Sequence, residues 1–531
     1  MLEVATGEVL DGPVDRVRYS PVAWLPGGTR FFYVRRLPPE EVPPGEEAYH
    51  RRLWLHQVGD DPGGDVEVFG RGIDKTAYLG VTTSHDGRWA TVTVNLGTAP
   101  RNDVYVADLV IHDPGLPVWQ PVLEGVDAQA WPYLDRRGHL WVLTDFGAPR
   151  RRLCVTDPTA PSPEGWVEVV GEDPGVVLEG FCLAGDAVVV ARSRHTVSEV
   201  ALHDRASGQL RSAVALPGPG TVDLTGRPDE GPEAWVGYTD WVTPYEVHPL
   251  DVATGTLAPS SAAPSGEQAV VRQVTYRSAD GPEVGMSLVA PPGRLAGARP
   301  TVLYGYGGFG VAIAPAYSST IAAWVAAGGV WGVAHLRGGS EEGEDWHRAG
   351  TRQDKHHVFE DLEAAASWLV AEGVTTAGGL GIFGGSNGGL LVGAALTRQP
   401  GRYRAVVCSA PLLDMVRYER FGLGATWRDE YGRASAAAEL EWLLGYSPYH
   451  HVSPGTVYPA VLFTVFDGDT RVDPLHARKM AAALQWATNA GLSERPVLLR
   501  REPDVGHGAR AMSRAVALLF LAVELGLDIA G

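Results

Sequence analysis

The sequence predicts two halves of different class: an all-β N-terminal half of repeated short antiparallel strands, then an α/β half built on a mainly parallel sheet. Three observations lead there. Up to about residue 252 the chain keeps repeating a short β-rich run, a polar turn and another run. Residues 255–266 are poor in large apolar side chains and have the composition of a linker. Beyond them apolar strand runs alternate with helical stretches, the pattern of a parallel sheet covered on both faces. At 531 residues, the chain is long enough for two domains with separate cores.

In the first half the strand runs include residues 30–34, 53–55, 89–94, 103–107 and 140–143, with Asp86-Gly87 and Arg137-Gly138 as turn signals. Aspartates recur at unit ends, at Asp108, Asp157 and Asp251. A period of ~40 to 50 residues per unit points to propeller blades rather than one sandwich, with room for about five. The expected division is a partial β-propeller over residues 1–262 and an α/β domain over 263–531. In the second half, strands are expected at 301–303, 330–334, 380–383, 405–408, 460–465 and 497–499, and helices at 361–371 and 474–487.

The most informative stretch is Gly384-Gly385-Ser386-Asn387-Gly388-Gly389, set between the apolar run 380–383 and the helix-like run 390–396. Strand, tight Gly-x-Ser-x-Gly turn and helix form a nucleophile elbow, which exposes the serine at the sheet's carboxyl edge and demands small neighbours. Ser386 is therefore the candidate nucleophile, and the second half is expected to be an α/β-hydrolase domain. A serine hydroxyl needs a base, and the base needs an orienting acceptor; in this fold they follow in the order serine, acid, histidine. Downstream, the strand at 460–465 runs out into Asp467-Gly468-Asp469, two carboxylates that spacing alone does not separate. The next strand leads to His507, flanked by Gly506 and Gly508, whereas His450 and His451 precede the acid strand and break the order. For the oxyanion, the backbone N–H of Asn387 supplies one donor. The loop Tyr304-Gly305-Tyr306-Gly307-Gly308-Phe309-Gly310 offers a second through its backbone or a tyrosine hydroxyl. That loop lacks a Lys-Ser/Thr ending and does not read as a phosphate cradle.

The chain resembles the prolyl oligopeptidase family of serine peptidases. The resemblance rests on the runs 303–309, His335-Leu336-Arg337-Gly338-Gly339-Ser340-Glu341, 384–389, Trp427-Arg428-Asp429-Glu430-Tyr431-Gly432, 446–452 and 469–472. Weaker echoes of the family's propeller lie at 144–149 and 238–244. The resemblance implies Ser386 as nucleophile, Asp469 rather than Asp467 as acid, His507 as base, and the Tyr306 hydroxyl with Asn387 as oxyanion donors. It further implies that Trp427 stacks on a substrate proline ring, that Tyr431, Phe309 and Val472 wall the same slot, and that Arg471 binds a substrate carbonyl. An aromatic slot suits proline, a rigid apolar ring without an N–H. Family members begin with helices and carry seven blades, so this sequence reads as lacking the helices and about two blades.

The expected activity is hydrolysis of short peptides after proline, with no cofactor or metal in the reaction. An acylaminoacyl or dipeptidyl peptidase, an esterase, and an inactive peptide-binding protein are the alternatives. A net charge of −19 argues against nucleic-acid and anionic-membrane partners. Only three cysteines occur, Cys154, Cys182 and Cys408, in neither a disulfide nor a zinc spacing, and they read as buried free thiols. The start of the chain lacks a basic-then-apolar leader and no apolar run suffices to span a bilayer, so a cytoplasmic monomer is expected.

Overall fold

The computed structural model describes residues 1–260, 269–293, 297–503, 505–508 and 511–528. Residues 22–257 form five consecutive four-stranded antiparallel sheets, each a meander whose neighbours in sequence are neighbours in space. By compactness the chain divides into one unit of residues 1–173, 204–209 and 228–230, and a second of 174–203, 210–227 and 231–531. The expected boundary at 262/263 lies outside the described residues. The linker stretch is not wholly irregular, since Thr256–Leu257 pairs with Leu250 and Asp251 as the last strand of the fifth sheet.

Strand parity explains how the blades stack. Successive side chains of a strand point to opposite faces. In the second sheet Ala90, Val92 and Val94 therefore join Leu79 and Val81 in packing on Phe32, Val34, Leu53 and Leu55 of the first. Trp89, Val104 and Val106 pack instead on Ala130, Leu140 and Val142 of the third. Apolar side chains of this sheet thus pack on both neighbours, although its strands still carry polar residues such as Thr91, Thr93 and Asn95. The fourth and fifth sheets meet in the same way, with Val189, Val200 and Leu202 against Val222, Val236 and Tyr238.

The α/β region holds an eight-stranded sheet: β1 (Val270–Arg277), β2 (Glu283–Ala290), β3 (Thr301–Tyr304), β4 (Val330–His335), β5 (Leu380–Gly385), β6 (Ala405–Ser409), β7 (Ala460–Phe466) and β8 (Val497–Glu502). Their order is β1-β2-β4-β3-β5-β6-β7-β8. The pairs β1–β2 and β2–β4 are antiparallel and the rest parallel. Helices α1 (Ser319–Ala326) and α8 (Ala511–Leu525) cover one face, where Ile321, Trp324, Leu521 and Leu525 pack on Val302, Trp331, Val407 and Leu462. The other helices are α2 (Glu344–Arg348), α3 (His356–Ala371), α4 (Asn387–Arg398), α5 (Arg428–Tyr431), α6 (Ala437–Tyr446) and α7 (Leu475–Ala487). Helix α3 starts five residues before the expected Asp361, and Asp361 sits fully buried within it. Arg337 explains the burial, because its guanidinium bonds Asp361 at 2.6 Å and Asp280 at 2.6 and 2.8 Å.

Three parallel strands, β3, β5 and β7, end at one edge in the loops that carry Tyr306, Ser386 and Asp469, and β8 leads there to His507. That carboxyl edge is where open α/β sheets place their ligands. The loop after β3 is anchored further along by Glu341, whose Oε1 accepts the Ile313 N–H at 3.0 Å. Burial pushes the Glu341 carboxyl up to about 8, with the Ile313 bond opposing only in part. It is neutral in the folded protein where the unfolded chain, with an ordinary value near 4.5, is ionised. A raised carboxyl pKa means that its contribution is greatest below the unfolded value and declines as pH rises toward the folded value. Glu341→Gln, which keeps the acceptor for Ile313, is therefore expected to gain in melting temperature relative to the parent as pH is raised from about 4.5 to about 8. Parallel melting curves across that range check it; a constant difference contradicts it.

Candidate active site

The elbow forms as its residue types require. Ser386 is held at φ 57° between β5 and α4, and its N–H bonds the Ser409 carbonyl at 2.8 Å. Glycines surround it because backbone comes close on every side. A Cβ at Gly384 would stand 2.0 Å from the Gly388 carbonyl oxygen, and one at Gly388 would stand 2.8 Å from that of Gly305. Phe309 and Ala410, in the flanking loops, also have positive φ, at 59° and 41°. Such non-glycine conformations cost about 1–3 kcal/mol each and persist only where surrounding structure imposes them. The surrounding sheet edge does so here.

The His507 Nδ1 lies 2.6 Å from Asp469 Oδ2. The other oxygen, Oδ1, accepts the backbone N–H groups of Arg471 and Val472 at 2.9 and 3.0 Å, fixing the carboxylate as an acceptor. Asp467 faces elsewhere, bonded to Arg501 at 2.5 Å and within 3.5 Å of Arg478. The geometry thus separates two carboxylates that spacing left equivalent. Ser386 and His507 line a common cavity of about 540 Å³ with Tyr304, Trp331 and Phe383, whereas none of the expected proline-slot residues borders it.

The Tyr306 hydroxyl interacts with the Ser386 side chain, and burial raises its pKa to about 12, with the Glu430 charge adding to the effect. It stays a protonated donor across the neutral range. Asn387 starts α4, so its N–H has no intrahelical acceptor by position. Its buried side chain links two expected site residues, donating to the Tyr306 carbonyl at 2.5 Å and accepting from the Tyr431 hydroxyl at 2.7 Å. Tyr431 packs edge-on against Phe309 with ring centroids 5.5 Å apart. Trp427 and Val472 are buried, and Arg471 is exposed. The segment leading to Trp427 is tied to Arg471 through the bond from Leu423 N to Arg471 O, 3.1 Å long.

Sequence reasoning missed a buried charge network beneath this loop. Lys355 donates to the Gly307 carbonyl at 2.9 Å and to Glu430 at 2.6 Å, and Glu430 also meets His347 Nε2 at 3.1 Å. All three side chains are at most 3% exposed. Burial pulls the His347 pKa down, but Glu344 and Glu430 outweigh it and raise the value to about 9. Burial likewise opposes the Glu430 charge, yet Lys355 and His347 hold its pKa below the ordinary value. Lys355 and His347 therefore both bear on Glu430, while Glu344 is shared between His347 and Arg348. Glu430 lies inside the run 427–432 but is one of three charged residues between Trp427 and Tyr431, and Lys355 is 75 residues away, so nothing in the sequence pairs them.

Known proteins place this architecture. Residues 315–521 match the prolyl oligopeptidase family, and residues 1–263 match the prolyl oligopeptidase N-terminal β-propeller domain. A prolyl endopeptidase of Elizabethkingia meningoseptica is 32% identical over 99% of this chain and 75% of its own length. A dual function macrocyclase-peptidase of Amanita bisporigera is 26% identical over 99% of this chain and 74% of that protein. Among solved structures, a prolyl endopeptidase studied for inter-domain dynamics superposes with a TM-score of 0.92 at 37% identity, covering 99% of this chain and 78% of that one. Prolyl oligopeptidase B from Galerina marginata, bound to a macrocyclization substrate, gives 0.88 at 25% identity, covering 97% and 73%. The chain belongs to the prolyl oligopeptidase family of serine peptidases. Within that family it is a serine peptidase of the prolyl endopeptidase type, and the acylaminoacyl, dipeptidyl, esterase and binding-protein alternatives are not favoured.

Removing one partner of a buried ion pair leaves the other uncompensated, at a cost of about 3–5 kcal/mol. Glu430→Gln is expected to lower stability by about that amount, and to reduce kcat by about 10- to 100-fold through displacement of the Tyr306–Gly307 backbone. Thermal unfolding and steady-state kinetics on a proline substrate check it. Unchanged kcat in folded protein would show that the network supports only the fold.

Proposed function

We propose that this protein cleaves short peptides on the carboxyl side of proline through an acyl-enzyme on Ser386. The observation that carries this reading is the 2.6 Å contact between His507 Nδ1 and Asp469 behind a serine elbow. With Nδ1–H donated to Asp469, the His507 Nε2 lone pair is left to take the serine proton. Attack of Oγ on the carbonyl carbon forms a tetrahedral oxyanion, received by the Tyr306 hydroxyl and the Asn387 N–H. Collapse breaks the C–N bond, and His507 returns the proton to the departing amine. Water, deprotonated by the same imidazole, then releases the acyl group and restores Ser386.

Selectivity in this reading comes from shape. Trp427 stacks on the proline ring, Phe309, Tyr431 and Val472 wall the slot, and the exposed Arg471 reaches the carbonyl of the preceding residue. The T-shaped Phe309–Tyr431 pair and the Tyr431–Asn387 bond support it, because they couple slot walls to an oxyanion donor. We propose a domain boundary near 262/263, supported by the change from four-stranded antiparallel sheets to the eight-stranded sheet on either side of it. We propose a cytoplasmic monomer; the location is supported by three free cysteines, of which Cys182 is only partly buried. No helix among the described residues is long and apolar enough to cross a membrane.

Ser386→Ala is expected to abolish hydrolysis with the fold retained, and Asp469→Asn to be far more damaging than Asp467→Asn. Initial rates on a chromogenic proline peptide rank them; near-equal effects of the two asparagine variants would remove Asp469 from its role. Trp427→Ala is expected to narrow the preference for proline over alanine before the cleaved bond, by at least the ~0.5–1.5 kcal/mol of a stacking contact. Paired kcat/KM values on the two substrates measure it, and an unchanged ratio makes Trp427 a packing residue.

A further inference from the structure

The first turn of α3 carries His356, His357 and Glu360, and one ligand atom from each lies within 4.8 Å of the other two. They lie on the same helix as Asp361 and outside the triad and the slot. His356 is exposed, while His357 and Glu360 are half-buried. Each imidazole is already oriented by backbone. His356 Nδ1 lies 3.0 Å from the Gln353 carbonyl, and His357 Nδ1 lies 3.1 Å from that of Ala349. A carbonyl only accepts, so both Nδ1 atoms carry their protons and both Nε2 lone pairs remain for a ligand. Donation of the second ring N–H to a carbonyl is how metal-bound histidines are fixed in tautomer and direction.

A further carboxylate adjoins this group. Asp280, in the turn between β1 and β2, places Oδ2 3.6 Å from His357 Nε2. Two donors on one tetrahedral zinc, each ~2.0–2.1 Å from the ion, stand about 3.4 Å apart. Asp280 meets that spacing with His357 alone and lies outside the mutually close trio, so it adds negative charge beside the site rather than a fourth donor. Arg337 holds Asp280 in place, and its charge is shared with the buried Asp361. Counting Glu360, Asp280 and Asp361 against Arg337 leaves two negative charges, which a divalent cation neutralises. The neighbouring Lys355 is balanced separately by Glu430. The positive end of the helix dipole opposes a cation here, but its partial charge is smaller than that of the carboxylates.

We propose that His356, His357 and Glu360 form a zinc-binding site on the first turn of α3, with Asp280 as the adjoining carboxylate. Two imidazoles and a carboxylate are borderline donors that suit zinc better than magnesium or calcium, which prefer oxygen alone. The site is separate from the peptidase chemistry and does not depend on the proposed specificity. An ion held by the folded chain and not by the unfolded one stabilises the fold, so zinc raises the melting temperature.

The test is titration of the full chain with zinc chloride by calorimetry, alongside melting curves with and without zinc. The variants are His356→Ala, His357→Ala and the near-isosteric Glu360→Gln, which keeps the fold if an alanine change does not. Binding of one zinc per chain in the micromolar range is expected, with each variant at least tenfold weaker and its zinc-induced melting shift diminished. No binding by the parent up to millimolar zinc, or an affinity in all three variants equal to that of the parent, overturns the proposal.

Discussion

The backbone conformation of Ser386 is the constraint around which the α/β region is arranged. A serine at φ 57° exposes its hydroxyl beyond the sheet, but only if the chain before and after it passes within contact of neighbouring backbone. That requirement accounts for the glycines at 384 and 388, for the Ser386 bond to Ser409, and for the approach of the Gly305 carbonyl. The parallel pairing of β5 with β3 and β6 supplies the rigid frame. Strain at Phe309 and Ala410 lies in loops leaving the same two neighbouring strands, so the edge concentrates cost where the chemistry is proposed.

Positioning continues beneath that edge in the Lys355–Glu430–His347 network. A hydrophobic substitute of similar volume would fill the space as well, and buried ion pairs are weak arguments for stability. What the ions add is direction. Lys355 binds the Gly307 carbonyl next to Tyr306, and Asn387 binds the Tyr306 carbonyl itself. Two consecutive peptide groups of the proposed oxyanion loop are thereby held by buried side chains that are themselves tied to Glu430 and Tyr431.

Much of this was legible in the sequence, for local reasons. Blade strands announce themselves through short β-rich runs and turn residues, and the elbow through glycines that no other residue type could replace. The order of Ser386, the Asp467/Asp469 pair and His507 follows from loops that leave successive strands at one edge. Other features depended on contacts distant in sequence. The choice of Asp469 over Asp467 is decided by whether Arg501 or His507 stands opposite, which residues two apart do not reveal. Helix α3 begins at His356, directly after the buried Lys355, and the pairing of Lys355 with Glu430 spans 75 positions. The short strand at Thr256–Leu257 escaped notice because two residues carry no periodicity.

The central claim is that Ser386 is a nucleophile activated by His507. Its most direct test is reaction of the intact protein with a fluorophosphonate, followed by peptide mass mapping. The account predicts a single adduct on the peptide containing Ser386, formed much more slowly in His507→Ala. An adduct on another residue, or no adduct in folded protein, would contradict it.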